Sequence, residues 1–472
     1  MKRFKKTICP VLSVLLLMVL FTGCSSQNTG GQPGNNGHPG GTPPDMPSGG
    51  GPGGTPPEGG MPPGGHSSAD VNKATVTISA SVSESDKTYS ADTADESALM
   101  ISTSDEVTIT DPTVTKTGDS NGGDNCNFYG LNAAVLVKNG SKTTITGGSI
   151  SSSASGANGV FCYGGNGGKN GAAGDGTTVI IRDTEITTTG SGSGGIMTTG
   201  GGVTYAYDLK VLTSGQSSAP IRTDRGGGTV YVDGGTYTSN GLGSPVIYST
   251  ADISVANATL ISNLSEGVCI EGKNSITLTD CELTANNTRC NGNATFLDTI
   301  MIYQSMSGDA DSGTSAFTMK GGTLTSKNGH VFHVTNTNAV ISLEGVTIVN
   351  EDSANVLLSV CDDGWSGSSN IAALNASNQQ LKGAILVGGN STLTLNLSGG
   401  TVFTGYIGGN ITNAKGTVVS SSVGTVSVTL DSSSTWNLTA DSYVTSFNGD
   451  ASSVRTNGYT LYVNGTALKG TN

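Results

Sequence analysis

The fold is decided between residues 179 and 283, where one eight-residue pattern recurs as VIIRDTEI (179–186), TYAYDLKV (204–211), VYVDGGTY (230–237), ISVANATL (253–260) and ITLTDCEL (276–283). Each octet alternates apolar residues, turns at a small or acidic residue and closes on an apolar one. Earlier copies are VTITDPTV ending at Val114 and TTITGGSI at Ile150. Later copies are FTMKGGTL ending at Leu324, ISLEGVTI at Ile348, LNLSGGTV at Val402 and a looser VTLDSSSTW at Trp436. Octet endings from Ile186 to Leu283 lie 25, 26, 23 and 23 residues apart, and Leu324 to Ile348 spans 24. The gaps of 36, 36, 41 and 54 elsewhere fit insertions or a skipped coil. Period-two alternation specifies strands, and a period near 24 is too short for a strand-helix-strand unit. A shorter strand runs between octets: GGIMTTGG, SAPIRTD, SPVIYST, EGVCIEG, TIMIYQS and GHVFHVT. The expectation is an all-β solenoid of about eleven coils, on the order of 50 Å long at about 4.8 Å per strand, with inward apolar side chains stacked into a narrow core.

Composition agrees. The chain has 472 residues, 72 of them Gly, and only 22 Lys+Arg against 35 Asp+Glu, which excludes a coiled coil or helical bundle. The net charge of −13 deepens once the leader cations Lys2, Arg3, Lys5 and Lys6 are removed, so nucleic acid is not expected as a partner.

The first residues read MKRFKKTICPVLSVLLLMVLFTGCSSQ, a cationic start followed by an apolar run and small residues before Cys24, the features of a secretion leader. The run is short for a membrane span. Leu20-Phe21-Thr22-Gly23-Cys24 resembles the lipobox of bacterial lipoproteins, with Phe21 where that family usually has Leu. The resemblance implies that residues 1–23 are removed and Cys24 is lipidated, anchoring the protein to the cell membrane facing outward. An ordinary cleaved leader with a free Cys24 is the alternative. Residues 24–69 then form a linker: Ser25–Ser68 contains 15 Gly and 10 of the 14 Pro and no apolar repeat, so it is expected to be a disordered stalk. Residues 70–472 carry the solenoid, with 70–98 as its candidate N-terminal cap.

The repeat resembles right-handed parallel β-helices of the pectin-lyase-like class, over about residues 70 to 472. The C-terminal segments LKGAILVGGNSTLTLNLSGGTVFTGYI and STWNLTADSYVTSF resemble the last coils of autotransporter-type surface adhesins. Together these imply a surface-displayed adhesion or carbohydrate-binding domain, with a polysaccharide or cell-surface glycan as partner. The alternative is a polysaccharide lyase or glycoside hydrolase of the same fold. Of the motifs of polygalacturonase-like members, only Asp362-Asp363 has a counterpart here, because His330 and His333 precede it and neither is followed by Gly. Adjacent carboxylates on an extended strand also point to opposite faces, whereas glycoside hydrolysis needs two that share a site.

Candidate site residues come from the short strands and the insertions. Aligning the short strands on their first apolar residue places Tyr248, Tyr303 and His333 in one column. If that column faces outward, it lines a shallow groove flanked by Arg222 or Arg225 and Glu271, suited to stacking and hydrogen-bonding sugar rings. For the enzymatic alternative the candidates are Arg222, Asp224, Glu271, Asp362 and Asp363. Insertions are expected at Gly118–Tyr129, Cys162–Gly176, Asn286–Gly313 and Glu351–Gly383. Asp309 and Asp311 offer oxygen ligands for Ca²⁺, although two carboxylates are fewer than a cage requires and a solvated turn is the plain reading. No other cofactor is expected. Cys126, Cys162, Cys269, Cys281, Cys290 and Cys361 match no metal-binding spacing and read as single thiols.

Overall fold

A computed structural model of the chain describes residues 72–167 and 173–471. The leader, Cys24, the Gly/Pro-rich stretch and residues 168–172 of the second insertion lie outside the described residues. The described chain is a right-handed parallel β-helix built from three stacked sheets. The short strands form a first sheet of 13 strands, from Lys73–Ile78 to Ile407–Gly408. The front halves of the octets form a second sheet of 14 strands. The octet tails form a third of 10 strands, continued by a four-stranded sheet towards the C-terminus.

The octet marks the corner between the second and third sheets. Its fifth residue adopts left-handed backbone in every one of the ten regular octets, as Asp111, Gly147, Asp183, Asp208, Gly234, Asn257, Asp280, Gly321, Gly345 and Gly399. Asp, Asn and Gly tolerate that conformation and β-branched residues do not, which explains a small or acidic residue at that position. Positions one and three point inward: Val230, Ile253, Ile276 and Phe317 lie in register on successive rungs, all buried. Where Thr interrupts this column its hydroxyl is paired, as between Thr204 and Thr198 at 2.7 Å.

Two octets escaped the pattern search. VSESDKTY (82–89) and LNASNQQL (374–381) turn at Asp86 and Asn378 with the same left-handed backbone. They raise the rungs from about eleven to thirteen and divide the gap of 54 residues before Val402. The segment 70–98 contributes the edge strand of each sheet, Lys73–Ile78, Val82–Ser85 and Thr88–Ala91. The return corner carries a serine ladder: Ser193 N–H donates to Ser218 Oγ and Ser218 N–H to Ser244 Oγ, each at 2.9 Å.

The outer face of the first sheet is covered as well. Its strands read VLVK, VFCY, VCIE and DTIMIY, buried at every position. Runs apolar at both parities are the mark of a strand covered on both faces. Much of the cover comes from the first, third and fourth insertions, which carry apolar anchors among polar residues. Phe128 and Tyr129, on the one-turn helix Asp124–Tyr129, pack with Leu136, Phe161 and Met197. Ala294 and Trp365 pack with Tyr248, Cys269, Met301 and Tyr303. Phe296 packs with Val356, Cys361 and Leu386.

Candidate functional site

The expected open groove is closed. The register of the first sheet aligns Arg222, Tyr248, Cys269, Met301, His333 and Ser359 in one outward column. Tyr303 lies in the next outward column, beside Glu271 and Thr335. Alignment on the first apolar residue therefore slipped by one on some rungs, because both parities of these strands are apolar. Tyr248 is 9% exposed, and Tyr303 and His333 are fully buried beneath the insertions. Trp365 lies over Tyr303 with ring centroids 4.9 Å apart, and Phe296 lies over His333 at 4.7 Å.

Arg222, Asp224 and Glu271 form a buried polar seam under this roof, bordered by the partly exposed Arg225–Asp309 and Lys273–Asp311 pairs. Arg222 Nη2 donates to Asp224 Oδ2 at 2.8 Å, with both side chains buried. Burial pushes the Asp224 carboxyl up to about 7 in spite of that guanidinium. Glu271 accepts from Tyr248 OH at 2.6 Å, from Tyr303 OH at 3.1 Å and from Ser305 Oγ. Burial raises its carboxyl also, with these hydroxyls acting against the rise. Arg225 crosses between insertions, its guanidinium 4.2 Å from the Phe128 ring centre and its Nη2 donating to Asp309 Oδ1 at 2.7 Å. Asp311 pairs with Lys273 Nζ at 2.8 Å, so each carboxylate considered for Ca²⁺ faces a cation. Among the described residues no group of three or more His, Cys, Asp or Glu side chains is arranged to hold a metal ion.

Asp362 and Asp363, in the loop after strand Val356–Val360, point apart. Asp362 is exposed and accepts from Asn370 Nδ2 at 2.6 Å. It borders a cleft of about 310 Å³ shared with Asn390, Ser391 and Ser420. Asp363 turns inward, accepting from Thr295 N–H at 2.7 Å, with Oδ2 lying 3.3 Å from His333 Nε2 and not aligned for a hydrogen bond. Burial works against its charge, but His333 and the Thr295 and Gly364 N–H groups hold its carboxyl below the usual range. Ser359 Oγ lies 2.7 Å from Nδ1 of both His330 and His333. Burial and the neighbouring His333 push the His330 imidazole down to about 3. This Ser, His and Asp sequence has the partners of a nucleophile relay, but Ser359 and the side chains of His333 and Asp363 are fully buried. The six described thiols are unpaired, five of them buried.

An accessible aromatic surface lies on the second sheet, within octets already quoted. Tyr205 and Tyr231 face each other in register on adjacent rungs, with centroids 5.0 Å apart and ring planes 10° from parallel. Tyr231 is 44% exposed. The next rung places Ser254 in the same column, so no large side chain covers the face of Tyr231 that points away from Tyr205. Asp233, on the same strand, accepts from Asn257 Nδ2 at 2.7 Å, and Asp252 accepts from Ser275 Oγ at 2.6 Å. In the column of Asp233 the preceding rungs carry Tyr207 and Arg182, whose guanidinium lies 3.7 Å from the Tyr207 ring centre. The result is an apolar ledge rimmed by hydrogen-bonding groups. The sequence held a signal for it: octet position two is Thr or Ser on many rungs, but Tyr in both TYAYDLKV and VYVDGGTY. Comparisons with protein-family models, curated proteins and solved structures find no match to this chain.

Proposed function

We propose that the protein is a lipid-anchored surface protein whose β-helix binds carbohydrate at the Tyr205–Tyr231 ledge. The observation that carries this reading is the stacked tyrosine pair, half-buried Tyr205 against exposed Tyr231, with Ser254 beside it. A pyranose ring presents C–H bonds to an aromatic face and hydroxyls at its edge, and the ledge offers the complement to both. Asp233, Asp252 and Asn257 stand within the neighbouring rungs to take those hydroxyls. Membrane attachment rests on the lipobox-like Leu20–Cys24, and the Gly/Pro-rich stretch after it reads as a spacer that would hold the binding face away from the bilayer.

The test is retention of the purified protein on a panel of insoluble polysaccharides, with the supernatant analysed by mass for released fragments. Retention without fragments is expected, and Tyr205→Ala with Tyr231→Ala should weaken binding by about five- to 150-fold, as loss of about one to three kcal/mol of stacking and burial implies. Released oligosaccharides would replace this reading with an enzymatic one. Membrane attachment is checked separately: Cys24→Ala should shift the protein from the membrane to the soluble fraction.

A further inference from the structure

We propose a second carbohydrate-contact site at the C-terminal end of the solenoid, formed by Tyr443 and Tyr462. The proposal rests on the carbohydrate reading above but on a separate part of the molecule. Strands Ser442–Val444 and Leu461–Val463 pair in parallel with Tyr443 opposite Tyr462. The two rings stack with centroids 5.1 Å apart and planes 7° from parallel. Strand Thr466–Leu468 then pairs antiparallel and sets Ala467 opposite Tyr462. The face of Tyr462 away from Tyr443 therefore meets only a methyl group, as the corresponding face of Tyr231 meets only Ser254.

The construction matches the first ledge, and here too one ring of the pair is half-buried, Tyr462, and the other exposed, Tyr443. Tyr443 is 44% exposed, and Tyr459, just before the second strand, is 43% exposed. The residues flanking the tyrosines, Ser442, Val444 and Leu461, are buried, which fixes the rings outward. The rim is polar: Asp441 accepts from Thr460 N–H at 2.8 Å, and Asn464 and Lys469 are exposed on the same small sheet or beside it. Its ligand is the pyranose unit of a neutral glycan, since a chain of net charge −13 disfavours an anionic one. Two separate ledges on one chain make the protein bivalent. A long polysaccharide can engage both, and the second contact then forms at high effective concentration, while a short oligosaccharide fills each independently.

The experiment titrates the full chain with cellohexaose, mannohexaose and chitohexaose by calorimetry, and measures retention on the insoluble polymer of whichever binds. Three variants are compared with wild type: Tyr205→Ala/Tyr231→Ala, Tyr443→Ala/Tyr462→Ala, and all four together. The expected stoichiometry is two hexasaccharides per wild-type chain, one for each double variant and none for the quadruple variant. Retention on the polymer should fall at least about tenfold in either double variant, through loss of avidity. Tyr443→Phe/Tyr462→Phe keeps both rings and should keep both sites, which separates stacking from folding. Wild-type stoichiometry and retention in the Tyr443→Ala/Tyr462→Ala variant would overturn the second site and leave the first standing. Absence of binding to all three hexasaccharides by the wild-type chain would overturn both.

Discussion

Glu266 and Asp298 are both buried under the roof, and burial, with Glu266 acting on Asp298, raises their carboxyls. Asp224 and Glu271 are raised as well, chiefly by burial. A carboxyl whose folded pKa lies above its unfolded value holds its proton more tightly when folded. It therefore adds stability below the unfolded pKa, and that stability is lost as pH rises through the folded value. For Asp224 the rise from 3.8 to about 7 corresponds to roughly 4 kcal/mol in all, of which about 3 kcal/mol is lost as pH rises from 5 through the folded value. The depressed His330 imidazole opposes this by about 2 kcal/mol at pH 5, but one imidazole is outweighed by the four raised carboxyls, so the urea midpoint should be higher at pH 5 than at pH 8. Asp298→Asn, which removes one carboxylate from a group facing no cation in close contact, should raise the midpoint at both pH values and raise it more at pH 8 than at pH 5. Equal midpoints at the two pH values in the wild-type chain would contradict this. Asp224 and Glu271 were legible in the sequence as charged residues on short strands. Their burial was not, because it comes from insertions that reach them across tens of residues, as Asp309 reaches Arg225.

The octet is the element that the sequence spells most fully, since both its inward apolar positions and its left-handed corner are local requirements. Gly234 shows how strict the corner is. It has φ of 74°, and a Cβ built there would meet Asp208 Oδ1 of the preceding rung at 2.1 Å. Gly234→Ala should therefore destabilise by about 2–4 kcal/mol, combining a left-handed backbone with displacement of that carboxylate. Gly416 has φ of 79° with nothing within 4 Å of a built Cβ, so Gly416→Ala should cost only about 1 kcal/mol, the backbone part alone. Urea unfolding of the two variants measures the difference, and equal losses would show that the rung-to-rung contact is immaterial. VSESDKTY and LNASNQQL were missed because Ser, Glu and Asn occupy positions where the other copies carry clearer β-formers, although the corner residues Asp86 and Asn378 obey the rule.

At the scale of the whole molecule each rung packs on its neighbours, so stability is distributed along the stack rather than held in one centre. The edge strands Lys73–Ile78, Val82–Ser85 and Thr88–Ala91 have a paired neighbour on one side within the described residues, whereas rungs from Ile221 to Ala285 are paired on both and partly roofed. Hydrogen exchange should accordingly be fastest in 73–91 and 442–471 and slowest in 221–285, and uniform protection along the chain would argue for a single cooperative unit instead. The sequence by itself determined the strand class, the period, the corner chemistry and the parallel β-helix, because alternation and left-handed turn residues act over eight residues and repeat. Only the tertiary structure decided that the first sheet is roofed, that Tyr248, Tyr303 and His333 are sealed, and that open aromatic faces lie at Tyr231 and Tyr462. Those outcomes depend on which residues share a column across rungs 20 to 40 positions apart, and on how far the insertions fold back. A one-residue shift in that register moves a side chain to the opposite face, and local sequence does not set it where both parities are apolar.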